Sequence, residues 1–333
     1  MQRNILLGIA AGLVTAVVFL SAATGPSALG IVLYLTTPLP LFLVGLSKGW
    51  LAAAAGGLAG TLAISLLTSP YAGAVFAASE AVPVSVLTYL VMLARPASAP
   101  GPDVDAASGL EWYPIGRVVI WAAVLSAAMA LIAMLMLGAD LEALRAAVRK
   151  LVEQWLKVWM EATGAAKELT DQDKDRLAEA GMYILPGAVA LSWMTTALLN
   201  LWLAGRITLA SGLLGRPWPD IAAMRYPRFA PLVLLAASLA TLLQGYAAVL
   251  ASAMSGAFYL AYVLMGLAVV HYVTRGQSWR PFALWAMYAV LLVFNTGVSL
   301  LIALLGLAEG FAPMRRGGPP PNLPAPPPPT KST

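Results

Sequence analysis

Pro38-Leu39-Pro40-Leu41-Phe42-Leu43-Val44-Gly45-Leu46-Ser47-Lys48-Gly49-Trp50 is the stretch whose reading decides the fold. Two prolines interrupt an apolar run. A proline inside a helix removes one hydrogen bond and clashes with the preceding turn. In hydrocarbon the freed carbonyl must find another donor from protein or water. Thr36, Thr37, Pro38 and Pro40 therefore mark a broken or kinked place at membrane depth. The helix is expected to end at Gly45, with Lys48 in a very short turn. The next helix leaves at Trp50 and carries Ala52, Gly56 and Gly60 at every fourth position. Small residues at that spacing let two helix backbones approach closely. The stretch reads as part of an all-α, polytopic transmembrane bundle with tightly packed N-terminal helices.

Composition outside the stretch agrees. The chain has 333 residues, 60% hydrophobic and 11% charged, with mean hydropathy +0.81. Soluble domains carry about 25% charged residues. The formal net charge of +5 does not point to nucleic acid, because the basic residues sit mainly in short loops where they set orientation. There is no cysteine, which removes disulfides, thiolate metal sites and cysteine nucleophiles, and the single histidine, His271, excludes a multi-histidine metal site. No Gly-x-Ser-x-Gly, no phosphate-binding Gly-Lys-Ser/Thr loop and no paired His-Glu motif is present. The expectation is a protein that is not an enzyme, holds no cofactor and cannot power transport alone.

About nine spans are expected, at roughly 20 apolar residues each: near 5–20, 28–46, 50–67, 73–93, 115–137, 182–204, 229–250, 255–273 and 281–307. Counts of eight or ten remain open. Ser21-Ala22-Ala23 after the first span resembles a signal-peptide end, but Gly8, Gly12 and Ala16 give that span a packing stripe, so it is read as retained. The chain divides into a five-helix membrane part (1–137), a charged segment (138–181), a four-helix membrane part (182–311) and a Pro-rich tail (312–333) without a core. Within the charged segment Leu141, Leu144, Val148, Leu151, Trp155 and Val158 recur at spacings of three and four, with charges mostly on other faces. Such an amphipathic helix lies on the membrane surface or over the bundle mouth, or forms a coiled-coil seam. Thr170 with Asp173 resembles a capping box. Arg3, Lys48, Arg95, Arg117, Arg206, Arg216, Arg225, Arg228, Arg275 and Arg280 fall on one side of a nine-span arrangement. That pattern places the N-terminus in the cytoplasm.

Glu80 is the sharpest candidate site residue. It stands three residues before Pro83, and a carboxyl inside a span should face the bundle interior or a wet cavity. It reads as a ligand contact or protonatable group, or as a carboxyl satisfied by Ser79, Tyr71 or water. Gln244 in the outer part of its helix, Asn295 near mid-membrane and Trp193 near mid-span are further ligand-pocket candidates, with interhelical hydrogen bonding as the alternative. Asn200 and His271 lie near helix ends and read as structural caps. Gly8, Gly12, Ala16, Gly56 and Gly60 are either a partner-docking face or ordinary packing inside the bundle.

The run Pro38 to Trp50 with the small residues after it resembles the N-terminal signature of the YybS-like bacterial membrane proteins. Trp218-Pro219 through Tyr226-Pro227, Met265 to Tyr272, and Leu305 to Phe311 followed by Arg315-Arg316 resemble later parts of that family. The family's N-terminal helices are similar to the S components of energy-coupling factor (ECF) transporters. That similarity implies an S-component-like N-terminal part, a small-molecule ligand near the outer face, and an ECF-type coupling subunit or other membrane protein as partner. The expected function is a small-molecule binding or transport component lacking its own ATPase. The alternative is a membrane scaffold or cell-envelope assembly protein with no transported ligand.

Overall fold

The computed structural model describes residues 1–22, 28–99, 101, 103–163, 170–312 and 314–315, without the side chains of 28, 162, 163, 295 and 296. The Pro-rich tail from 316 and most of the turn after the first span lie outside the described residues. Among the described residues seven stretches are long and apolar enough to cross a membrane: Gln2–Ala22, Leu29–Lys48, Trp50–Leu67, Pro70–Met92, Ile115–Leu137, Asp171–Ala210 and Tyr246–Val273. The described chain forms two compact units, 1–261 and 262–333.

The first five spans fall where hydropathy puts them. They contain α1 (Gln2–Ala22), α2 (Ala28–Thr36), α3 (Leu39–Lys48), α4 (Trp50–Leu67), α5 (Pro70–Phe76), α6 (Val82–Met92) and α7 (Ile115–Leu137). α3 runs past Gly45 to Lys48, and Gly49 at φ 97° is the whole connection to α4. Only glycine adopts that φ without strain.

The later spans divide differently from the hydropathy reading. The expected span 229–250 is broken. α10 (Ala230–Ala240) stops, Gly245 turns at φ 68°, and α11 (Tyr246–Val273) runs straight through the expected turn at 251–254. Ala251-Ser252-Ala253-Met254 contains neither glycine nor proline, so nothing there stops a helix. The expected span 281–307 is two helices, α12 (Arg280–Val293) and α13 (Asn295–Phe311), parted at Phe294. Asn295, Thr296 and Gly297 are weak helix formers.

In the first unit α1 and α4 are sewn together by their small residues. Gly8 and Gly12 are buried, as are Ala52, Gly56 and Gly60. A Cβ on Gly8 would overlap the Ala52 carbonyl, and one on Gly12 would overlap that of Gly56. One on Gly60 would stand 2.8 Å from the Gly12 carbonyl oxygen. Ala16 closes the row at 4% exposure. These five positions, expected as a possible docking face, are therefore used up inside the chain, because each stripe is the other's partner.

One end of this unit is a small cap. β1 (Ala94–Pro96), β2 (Val104–Asp105) and β3 (Leu110–Trp112) pair antiparallel in the order β1-β3-β2. The loop after α9 (Asp171–Ala210) folds onto this cap: Arg216 donates from Nη1 to the Val91 carbonyl at 2.8 Å and lies 5.3 Å from the Trp112 ring. Burial pushes the Arg216 guanidinium below its usual value, and Asp103 opposes this. Burial raises the Asp103 carboxyl, with Arg216 opposing in turn.

At the other end the amphipathic segment, α8 (Leu141–Thr163), does not lie apart from the helices. It packs on the N-terminal part of α9. Leu144, Val148, Ala178 and Met182 share a core with Met134 and Val249. Arg149 pairs with Glu153, Asp171 and Asp175, and Arg145 with Glu179. The Thr170–Asp173 capping box starts α9. With 40 residues, α9 is about 60 Å long, roughly twice the hydrocarbon thickness. Leu151, Trp155, Val158 and Trp159 of α8 stay exposed, with the two indoles stacked.

In the second unit α13 meets the end of α11 through glycines: a Cβ on Gly266 would overlap the Ile302 carbonyl, and one on Gly306 that of Tyr262. Glu309 accepts from the Met314 backbone N–H at 2.6 Å and from Arg315 Nε at 2.9 Å. His271 Nε2 and Tyr288 Oη are 2.8 Å apart.

Two outcomes test this arrangement. Gly12→Leu should cost about 3 kcal/mol or more, as overpacking against backbone, while Leu13→Ala at the exposed neighbour leaves the melting temperature in detergent nearly unchanged. Because the chain has no native cysteine, Arg228→Cys and Gln154→Cys should react with an impermeant maleimide from opposite sides of oriented vesicles.

Candidate functional site

Pro83 has no N–H, so the carbonyl four residues earlier, that of Ser79, lacks its helical donor. The backbone answers with a π-helical turn over Ala77–Ala81, in which the Val82 N–H reaches back five residues to the Ala77 carbonyl. Such turns interrupt α-helices frequently at functional sites. The Ser79 carbonyl takes its hydrogen bond from α9 instead: Trp193 Nε1–H donates at 2.8 Å. Gly57 of α4 allows the close approach from the other side, since a Cβ there would be 2.7 Å from Ala81 Cβ.

Glu80 sits on this turn at 7% exposure. It lies ten residues into Pro70–Met92, about 15 Å along the span. That is near the centre of the span. Its carboxyl forms no hydrogen bond and no ion pair among the described residues. Tyr34 of α2 is the titratable neighbour of this carboxyl, and Ser192 of α9 lies beside the Tyr34 hydroxyl. Ser79 Oγ on the same turn is also buried and without a hydrogen-bond partner.

A second break is closed by the same helix. α2 ends at Thr36, and its last carbonyls need donors. Thr37 Oγ1 donates to the Leu33 carbonyl at 2.9 Å and the Thr37 N–H to that of Tyr34 at 3.3 Å. Asn200 Nδ2 donates to the Leu35 carbonyl at 2.6 Å and to that of Thr196 at 2.7 Å. Trp193 and Asn200 are seven residues apart, hence on one face of α9.

Of the four expected pocket residues the structure brings two together, Glu80 and Trp193. Gln244 is exposed in the turn between α10 and α11, because the helix expected to carry it stops at Ala240. Asn295 opens α13 in the second unit, and its side chain lies outside the description. Tyr34 and Ser192 are not among the expected site residues; Ser79 is expected only as a partner that satisfies Glu80, and its Oγ makes no hydrogen bond. Ser79 was readable as the position four before Pro83; Tyr34 and Ser192 carry no such signal. Among the described residues no group of three His, Cys, Asp or Glu side chains could hold a metal ion.

Residues 13–309 match the family described as Predicted membrane protein (DUF2232). The chain belongs to that family. No curated protein and no solved structure matches the DUF2232 chain. The family span contains the seven membrane-crossing stretches except the beginning of the first, and it contains the Glu80 turn.

The site's internal bonds have measurable worth. Trp193→Phe leaves the Ser79 carbonyl without a donor, and Asn200→Leu does the same to Leu35. Each should lower stability by about 1–3 kcal/mol, read as a drop in the thermal midpoint in detergent. Trp202→Phe, exposed on the same helix, should have little effect.

Proposed function

We propose that this DUF2232 protein is a small-molecule binding or transport component of a bacterial inner membrane, with Glu80 at its ligand site. The observation that carries the reading is the Glu80 carboxyl: buried near the centre of a span, on a π-helical turn, with no hydrogen bond or ion pair from the described protein. An acidic group in hydrocarbon costs several kcal/mol unless something compensates it. A side chain serving only to hold helices together would have found a donor. Trp193 and Tyr34 are the aromatic side chains at hand.

The family likeness to YybS-like proteins and to S components supports the same reading and adds the absence of an ATPase. Energy then comes from a partner or from an ion gradient, and no chemical step is assigned to the protein. Docking to an ECF-type coupling subunit would need a surface other than the α1–α4 stripe. The sequence positions of Lys48, Arg95, Arg117 and the four arginines of 206–228 at one end of the helices support an N-terminus in the cytoplasm. The competing reading, a scaffold without a ligand, draws on the exposed Leu151, Trp155, Val158 and Trp159 of the α8–α9 hairpin.

Mass spectrometry of small molecules retained by the purified wild type, Glu80→Gln and Trp155→Ala/Trp159→Ala separates the two readings. The expected result is a retained compound that Glu80→Gln loses and the tryptophan variant keeps. A wild type that retains only lipid, with a protein partner lost from the tryptophan variant, would favour the scaffold.

A further inference from the structure

We infer that the Glu80 site takes a monovalent cation and exchanges it for one proton. This rests on the ligand-site reading above and names the class of ligand.

The inference follows from what surrounds the carboxyl. Within 2–22, 29–48, 50–67, 70–92, 115–137, 181–210 and 246–261, Glu80 is the one acidic residue, and the basic residues Arg3, Lys48, Arg117 and Arg206 stand near the ends of their stretches. Among the described residues no cationic side chain forms an ion pair or hydrogen bond with the carboxyl. From the elements packed against it, α2 contributes Tyr34 as the titratable group. Apart from Glu80's own turn, α4, α5 and α6 carry no charged side chain, α7 carries Arg117 in its first turn, and the charges of α9 lie within 171–179 and at Arg206.

A lone carboxylate at that depth is unstable, so the site has two neutral states. It holds either a protonated acid or a carboxylate with one positive charge beside it. The balanced step is Glu80–COOH + C⁺ ⇌ Glu80–COO⁻·C⁺ + H⁺. The O–H bond of the acid breaks, the proton leaves to water, and the cation C⁺ takes its place with no change in net charge. An anion would add to the carboxylate's charge, and a divalent cation would leave one positive charge uncompensated. The free Ser79 Oγ supplies an oxygen on the same turn. Tyr34, the aromatic neighbour of the carboxyl, is a ring of the kind that attracts an organic cation.

The test uses the full chain reconstituted in liposomes loaded with a pH-sensitive dye and held acidic inside. Sodium, potassium, tetramethylammonium and tetraphenylphosphonium are added outside in turn. At least one of them should drive proton efflux, with one proton released per cation taken up and a half-saturating concentration that falls about tenfold per pH unit as pH rises. Glu80→Gln should abolish the efflux, and Glu80→Asp should keep a weaker one. Circular dichroism and the thermal midpoint of each variant show that it is folded. Absence of efflux with all four cations, or efflux that survives in folded Glu80→Gln, would overturn the inference. A neutral or anionic compound retained in a Glu80-dependent way would overturn it too, while leaving the ligand-site reading standing.

Discussion

Every carbonyl that a proline or helix end sets free inside the membrane must find a donor, and this constraint organises the first unit. Pro83 frees the Ser79 carbonyl, and Trp193 fills it. The break before Pro38 frees the Leu35 carbonyl, and Asn200 fills that. Both donors stand on one face of α9, two turns apart. The broken spans are thus fixed in depth and rotation by a helix that itself stays intact from Asp171 to Ala210. An unpaired carbonyl in hydrocarbon costs several kcal/mol, so these two bonds define the packing of α9 more sharply than its apolar surface could. Glu80 stands out against this background. The backbone at its turn is satisfied, and its own carboxyl is not.

The glycine seam between α1 and α4 answers a different need. Apolar surface gives helices little reason to associate in lipid, where the tails are as apolar as the side chains. Removing the side chains at Gly8, Gly12, Gly56 and Gly60 lets the backbones touch and recovers dispersion energy. The second unit uses the same device at Gly266 and Gly306. Gly57 applies it at the site, where it brings α4 against Ala81 beside Glu80.

Much of this was legible in the residues. The first five spans, the Pro38–Pro40 break and the small-residue stripes follow from spacing and hydropathy alone. The Thr170 capping box follows from one pair of side chains. The later boundaries were not legible, because Phe229 to Leu250 is apolar but for Ser238, Thr241 and Gln244, and the stop at Thr241–Gly245 rests on a single glycine. At the site, the types of Glu80 and Trp193 were informative by themselves. Their partnership was not, since Trp193 reaches a carbonyl 114 residues away and Asn200 one 165 residues away. Periodicity reports which face of a helix is small or apolar. It does not say which other helix that face will meet, and this is why Gly8 and Gly56 read equally as a docking face or as internal packing until α1 and α4 are seen together.

The length of α9 carries a mechanical consequence. Trp193 lies 22 residues from the start of the helix, about 33 Å at 1.5 Å per residue. A tilt of about 5° pivoting at Trp193 displaces the far end by roughly 3 Å, and α8, clamped there by Arg145 and Arg149, is carried with it. Pro186 is the one proline on the way and the natural place for that rod to bend. The π-turn therefore sits at the pivot of a long arm that ends in the α8–α9 hairpin, where a small tilt of α9 is largest.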